Sequence, residues 1–332
     1  MSSSLSFAIC VGRFDASGSV LESDRGARIW RVAAYGLALL ILAPAVAYAW
    51  TPGTHVFLGE AVMRSLSLLP PVIAELLRAF PRDFLYGSIA ADTSIAKKYA
   101  PVGRHCHSWT VGMEILDAAR DEPLRAFGLG YLAHLAADSV AHNFFVPRQL
   151  AVTSSTSALG HSYWESRFET HLGGEFSRRA RELILFDHSR SDGLLDRVLS
   201  PTIFSTPTNR RIFRGMVVVA DSESWQRIFQ LMTENSRWDL SDDEVGQYLS
   251  RSFDYIVDFL RRMEGSEPYH LDPSGDHALR LAKRVRRTVL RASGEQRLLE
   301  EADRNFGMPV SALSYSAMTD LSLYLPLRSA SI

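Results

Sequence analysis

The sequence predicts an all-α fold, a multi-helix bundle built around one buried helix. Three observations carry this. From Trp50 onward apolar residues recur at helical spacing, and no alternating strand pattern appears; residues 216–219 are the lone short β-branched run. Helix-start signals punctuate the pattern: Pro71 and Pro123 stand near first turns, and Ser241-Asp-Asp-Glu244 has capping-box spacing. Third, residues 123–145 are apolar on nearly every side, with Leu124, Phe127, Leu129, Tyr131, Leu132, Leu135, Val140 and Phe144. Gly128, Gly130, Ala133 and Ala137 among them leave room for close neighbours. A helix of that kind belongs in the middle of a bundle.

In chain order the pattern predicts helices over 55–68, 71–79, 83–95, 107–120, 123–145, 160–185, 191–199, 209–235, 241–263, 275–291 and 295–306, with a last one over 310–323. No internal repeat and no low-complexity tract interrupts them. Residues 50–332 therefore read as one all-α domain, in which 200–332 extends the same bundle. The chain has 22% charged and 46% hydrophobic residues, the composition of a soluble globular body. Its 36 basic and 37 acidic residues nearly cancel, so there is no strong nucleic-acid signature. Nothing in the pattern speaks to oligomeric state.

Residues 1–49 read as a secretory signal. Arg28 and Arg31 precede an apolar run over 32–46, and Ala47-Tyr48-Ala49 puts small residues at −3 and −1 of a cut. Cleavage after Ala49 makes Trp50 the first mature residue and exports the protein to the periplasm or beyond. The stretch ahead of Arg28, with Asp15, Glu22 and Asp24, is long and acidic for such a signal, which points to a downstream start or an extended leader. Left uncut, residues 32–50 are just long enough to cross a bilayer at about 20 residues per span. Cys10 leaves with the signal and Cys106 stays alone, so the exported chain has no internal disulfide.

The central segment carries His134, Asp138 and His142 at i, i+4 and i+8. On an α-helix each such step advances about 40°, so all three share a stripe. Buried polar groups need partners, and buried charge needs a counter-charge or a metal. Downstream, His161 and Glu165 repeat the i, i+4 spacing; upstream stand His55, Asp92 and the cluster His105-Cys106-His107. The spacing alone is weak evidence, because His171/Glu175 and His188/Asp192 share it. His171 and His188 lie beside Gly173-Gly174 and Ser191-Asp192 and read as surface residues; His270 and His277 read as loop residues. The ordered set is what stands out: Trp, His, Asp, His, His-x3-Asp-x3-His, His-x3-Glu.

This set, from Trp50 to Glu165, resembles the zinc-dependent phospholipase C family and the related fungal zinc-dependent single-strand nucleases. The spacing Trp50-x4-His55 looks like the nuclease branch; the phrase running from Gly130 through His134 and Asp138 to His142 looks like the phospholipase C branch. Only three residues separate Asp138 from His142, fewer than in well-studied members. The resemblance implies an all-α fold of that type holding three zinc ions. It implies that Trp50 binds one ion through its α-amino nitrogen and carbonyl oxygen, with His55. Asp138 would bridge this ion to a second, held by Asp92, His105 and His134, with His107 as the alternative to His105. His142, His161 and Glu165 would hold the third.

The chemistry suits those residue types. Zinc takes imidazole nitrogen and carboxylate oxygen, and a catalytic site keeps a position open for water. Three dications outweigh the charge of Asp92, Asp138 and Glu165, and the excess suits a phosphodiester anion. Zinc lowers the pKa of bound water from 15.7 to about 7, which makes hydroxide available at neutral pH. The expected activity is phosphodiester hydrolysis by zinc-bound hydroxide, phospholipase C-like, on a phospholipid at a membrane surface, with Asp92 as ligand and general base. A single-strand nuclease on the same scaffold is the runner-up: Trp109, Tyr163 and Trp164 offer platforms for bases, whereas Phe144, Phe145, Val146 and Pro147 offer an apolar rim for lipid. A third reading is a membrane-anchored, zinc-stabilised protein without turnover.

Overall fold

The first described helix, α1 (Pro52–Arg64), starts where Thr51 caps it: the Thr51 hydroxyl accepts from the Thr54 N–H at 3.4 Å, and Pro52 occupies the first turn. The computed structural model describes residues 50–95, 97–101, 103–153, 157–292, 295–319 and 321. The expected signal sequence, residues 1–49, lies outside these residues. Two further helices, α2 (Pro71–Ala79) and α3 (Pro81–Ala90), also open on proline, and α3 runs straight into a 3-10 turn, Ala91–Thr93, that carries Asp92. Helix α4 (Trp109–Asp117) follows, and then the central helix α5 (Glu122–Val140), capped by Asp121, whose carboxylate accepts from the Leu124 N–H at 3.1 Å.

From Ala126 to Val140 every residue of α5 is buried. Two glycines let α3 lie directly against it. A Cβ on Gly87 would stand 2.1 Å from the Phe127 carbonyl oxygen, and one on Gly130 would stand 2.0 Å from that of Phe84. The helices meet backbone to backbone, which no larger residue permits.

The central helix does not stay α-helical to residue 145. Ala141–Phe145 form a π-helical turn before α6 (Val146–Thr153). Asn143 accounts for it: its amide donates to the Ser139 carbonyl at 2.9 Å and to Asp272 at 2.8 Å, drawing a ladder carbonyl onto a side chain. His142 nevertheless stays on the inward side with His134 and Asp138, its ring 6.2 Å from that of His107.

Two other predicted helices are split. Residues 160–185 form α7 (Ser157–Thr170) and α8 (Gly174–Ile184), divided by Gly173 at φ 85°. After α9 (Ser189–Val198), residues 209–235 form α10 (Thr206–Ala220) and α11 (Glu223–Glu234), because Ser222 caps a new helix by accepting from the Trp225 N–H at 3.3 Å. The β-branched run 216–219 is helical within α10. Then come α12 (Asp242–Arg262), α13 (Asp276–Ala292) and α14 (Glu295–Phe306). Ser241 caps α12 as its spacing predicts, accepting from the Glu244 N–H at 3.2 Å. The helix expected over 310–323 is absent among the described residues, which hold only a 3-10 turn, Tyr315–Met318; the Asp254 carboxylate takes the Ser316 N–H at 2.6 Å and competes with a helical ladder there.

The described residues contain helices and no strand. Helix α12 packs against α1 and α5, and α13 and α14 pack on α6 and on each other. No described helix is long and apolar enough to cross a membrane.

Candidate metal centre

Six elements converge on the polar interior of this bundle. Helix α1 brings His55, the turn after α3 brings Asp92, and the segment before α4 brings His107. Helix α5 brings His134 and Asp138, the π-turn brings His142, and α7 brings His161 and Glu165. None of these side chains is more than 3% exposed. Their donor atoms gather in three groups, each within 4.8 Å: His55, Asp92 and His134; His107, His134 and Asp138; His142, His161 and Glu165.

Backbone carbonyls aim two of the imidazoles. His134 donates through Nδ1 to the Ser88 carbonyl at 2.8 Å, a contact that the Gly87–Gly130 crossing makes reachable. His142 donates through Nδ1 to the Pro273 carbonyl at 2.6 Å. With Nδ1 occupied, each ring turns an Nε2 lone pair inward, as a metal ligand requires. Gly275 makes the second contact possible. It stands at φ 60°, and a Cβ there would lie 2.4 Å from the His142 carbonyl oxygen.

Asp138 divides its carboxylate between two sides. Its Oδ1 lies 3.2 Å from His55 Nε2, while its Oδ2 lies 2.9 Å from His107 Nε2 and 3.1 Å from His134 Nε2. The two nitrogens of His107 and His134 also face each other at 3.1 Å. Acceptors thus point at acceptors. Both Asp138 oxygens, Asp92 Oδ2, Glu165 Oε1 and His55 Nε2 are buried without a hydrogen bond. Such groups are costly unless cations sit among them, so the residues present fit a bound metal.

The electrostatics agree at His55 and His142; at His107, against burial and Lys97, Cys106 and the contacts with Asp138 and Asp92 raise the ring well above its ordinary value, so a metal there displaces a proton. Burial pulls His55 down to about 4, helped by His134, and pulls His142 to about 4 as well. Both rings are therefore neutral and ligand-competent at pH 7. Burial alone would raise the two aspartates. The Lys97 ammonium and His134 overcome it at Asp92, and His134 and His107 overcome it at Asp138, holding both well below the carboxylate range. Glu165 lacks that support, and burial, with Asp92 adding to it, pushes it well above its ordinary value.

Several expectations are corrected here. Of the two alternatives the structure brings His107 to the aspartates, with Nε2 3.3 Å from Asp92 Oδ1 and nearer still to Asp138, while His105 accepts the His107 backbone N–H at 3.1 Å and groups with Cys106 and His107. His171 and His188 are buried rather than on the surface. His171 Nδ1 meets Asp242 at 2.5 Å, and His188 stacks on Tyr86 at 3.6 Å. Neither joins the cluster. His270 and His277 are exposed, and His277 lies in α13 rather than in a loop. Phe145, Val146 and Pro147 are core residues and form no rim. Trp109 stacks on Phe259 at 4.8 Å and Trp164 is buried, so neither is a platform for bases. Trp50 is wholly buried, and its indole donates to the Ala137 carbonyl at 3.1 Å, one residue before Asp138.

Sequence reasoning missed Lys97. Its ammonium lies 3.0 Å from Asp92 Oδ1 and 2.9 Å from His107 Nε2. Nothing in the dipeptide Lys97-Lys98 marks the first lysine as inward-facing.

Residues 54–198 match the family model described as zinc dependent phospholipase C. The matched stretch contains every clustered residue from His55 to Glu165, and over it the resemblance read from the sequence is shown. No curated protein and no solved structure matches the chain.

Proposed function

We propose that this protein is an exported, trinuclear-zinc phosphodiesterase that cleaves phospholipids in the manner of phospholipase C. The observation that carries the reading is Asp138, whose two oxygens serve His55 on one side and the His107–His134 pair on the other. In this assignment His55 and Asp138 hold the first ion, joined by the Trp50 amine and carbonyl once the leader is cut after Ala49. Asp92, His107, His134 and Asp138 hold the second; His142, His161 and Glu165 hold the third. The burial of Trp50 against Ala137 supports this, since it sets residue 50 beside the bridging carboxylate.

Zinc, when bound, supplies a Lewis acid and an acidified water. The chain supplies the rest. Ser88 and Pro273 fix the tautomers of His134 and His142. Asp92, with Oδ1 3.3 Å from His107 Nε2, stands where it would ligate the second ion and serve as the general base. Lys97 neutralises Asp92 in the metal-free chain and competes with metal for that carboxylate.

The test is a side-by-side assay of the zinc-loaded mature protein against phosphatidylcholine and single-stranded DNA, with metal analysis. Release of diacylglycerol and about three zinc per chain are expected. DNA cleavage without lipid cleavage would move the substrate to nucleic acid; a folded, zinc-loaded chain inert on both would make the centre structural.

A further inference from the structure

The helical pair α10–α11 leaves apolar side chains in solvent beside the candidate metal centre. On α11 only Phe229 is buried. Ile228, Leu231 and Met232 are 46%, 59% and 43% exposed. On α10, Ile212 and Val219 are exposed as well, and so are Ile203 and Phe204 in the segment leading into it. Positions 228 and 231/232, like 212 and 219, recur at the spacing of one helical face. Single exposed apolar residues need no explanation, but runs of them on consecutive helices do.

The pair rests on both flanks of the site. Helix α10 packs against the turn that carries Asp92. Just ahead of it, the Thr202 hydroxyl donates to the Ile95 carbonyl at 2.6 Å. Phe229 packs on Tyr163, with ring centroids 6.0 Å apart, on the face of α7 opposite His161 and Glu165, so α11 braces a ligand-bearing helix from outside.

We propose that α11, with the exposed face of α10, is the lipid-surface docking element of this enzyme. The proposal rests on the reading that the centre cleaves phospholipids: such a site must meet a bilayer, and the exposed apolar helices adjoin it. The charges fringing those side chains say which surface. Arg211 and Arg227 are exposed alongside Glu223 and Glu234, and a cleft of about 410 Å³ beside α11 is lined by Arg178 and Arg227 together with Asp221 and Glu223. A mixed, nearly neutral fringe complements zwitterionic headgroups, which present phosphate and ammonium together. It lacks the basic cluster of an electrostatic anchor to anionic lipid.

The test uses the full mature chain in vesicle co-sedimentation, which reads docking whether or not turnover occurs. Wild type should bind phosphatidylcholine vesicles, with little change on adding salt or phosphatidylserine. The triple variant Ile228→Ser/Leu231→Ser/Met232→Ser should lose at least about thirtyfold in partitioning, by loss of inserted apolar surface. Val72→Ser and Val310→Ser, equally exposed but elsewhere, should bind as wild type. Melting curves of all variants check folding, and the single variant Leu231→Ser, with a smaller loss, stands in should the triple not fold. Equal vesicle binding by wild type and triple variant overturns the proposal. So does a wild-type dimer in gel filtration that the triple variant breaks without any vesicle binding, which would assign the face to a second copy. Hydrolysis of a water-soluble short-chain phosphatidylcholine reads the centre separately. A protein that docks but hydrolyses nothing keeps this inference and loses the functional reading.

Discussion

Only Cys106 separates His105 from His107, and only the second histidine reaches Asp92, His134 and Asp138. His107→Ala should lower zinc affinity by more than about a hundredfold, and His105→Ala should leave the zinc count unchanged; metal analysis after dialysis decides between them. Lys97→Met removes the competing ammonium at Asp92 and should tighten zinc binding in a chelator competition; weaker binding would show that Lys97 supports the site. The candidate ligands were legible as an ordered set rather than by spacing, since His171 and His188 share the spacing, are buried and serve other contacts. The choice of His107 was not, because the sequence does not say which of two neighbouring rings turns inward. Glu169 was invisible too. It lies on α7 and takes hydrogen bonds from Ser177, Thr51 and the Gly53 N–H, at the start of α1. Burial raises its pKa above the ordinary 4.5, against those hydrogen bonds. A raised folded-state pKa means stability that is full below 4.5 and is lost as pH rises through the folded value. Denaturation series across that range should show this loss in wild type and not in Glu169→Gln; identical pH profiles would refute the assignment.

At the scale of elements, the helix starts were legible where Pro71, Pro123 and Ser241 mark them, at α2, α5 and α12, whereas α3 starts at Pro81, two residues ahead of the expected 83. The breaks were not. Gly173 at positive φ divides α7 from α8, and Ser222 divides α10 from α11. The π-turn after α5 depends on Asn143 meeting Asp272, a partner 129 residues away, which no local pattern reveals. The α3–α5 crossing is the element on which the centre depends most. Gly130→Ala drives a methyl into the Phe84 carbonyl and should destabilise the fold by about 3 kcal/mol or more in denaturant titration, above the usual range for overpacking because backbone cannot repack. A loss under about 1 kcal/mol would show that the crossing is looser than the distances say. Gly275→Ala acts further out: it strains a positive φ and presses on His142, so on the proposed three-ion assignment metal analysis should find about one ion fewer per chain.

Over the whole molecule, the buried acceptors that face each other make the metal-free chain the strained one. Chelation should therefore lower the melting temperature, and added zinc should restore it, because ions that bind the folded state alone stabilise it; an unchanged melting temperature would mean the centre is not metal-filled. The bundle architecture and its central helix were legible in the sequence, since they follow from apolar periodicity. The part played by the C-terminal helices was not, since it lies in contacts of long sequence separation. One of these sets an order of events. The carbonyl that aims His142 belongs to Pro273, and the glycine that lets it approach is Gly275. The last ligands, His161 and Glu165, are made more than a hundred residues earlier. A chain still being synthesised or threaded across a membrane thus holds all its ligands but not the clasp on the third set. If the three sets fill with metal as proposed, the third gains its clasp only when the C-terminal third has been made, and a nascent chain would pass through an incompletely metallated stage.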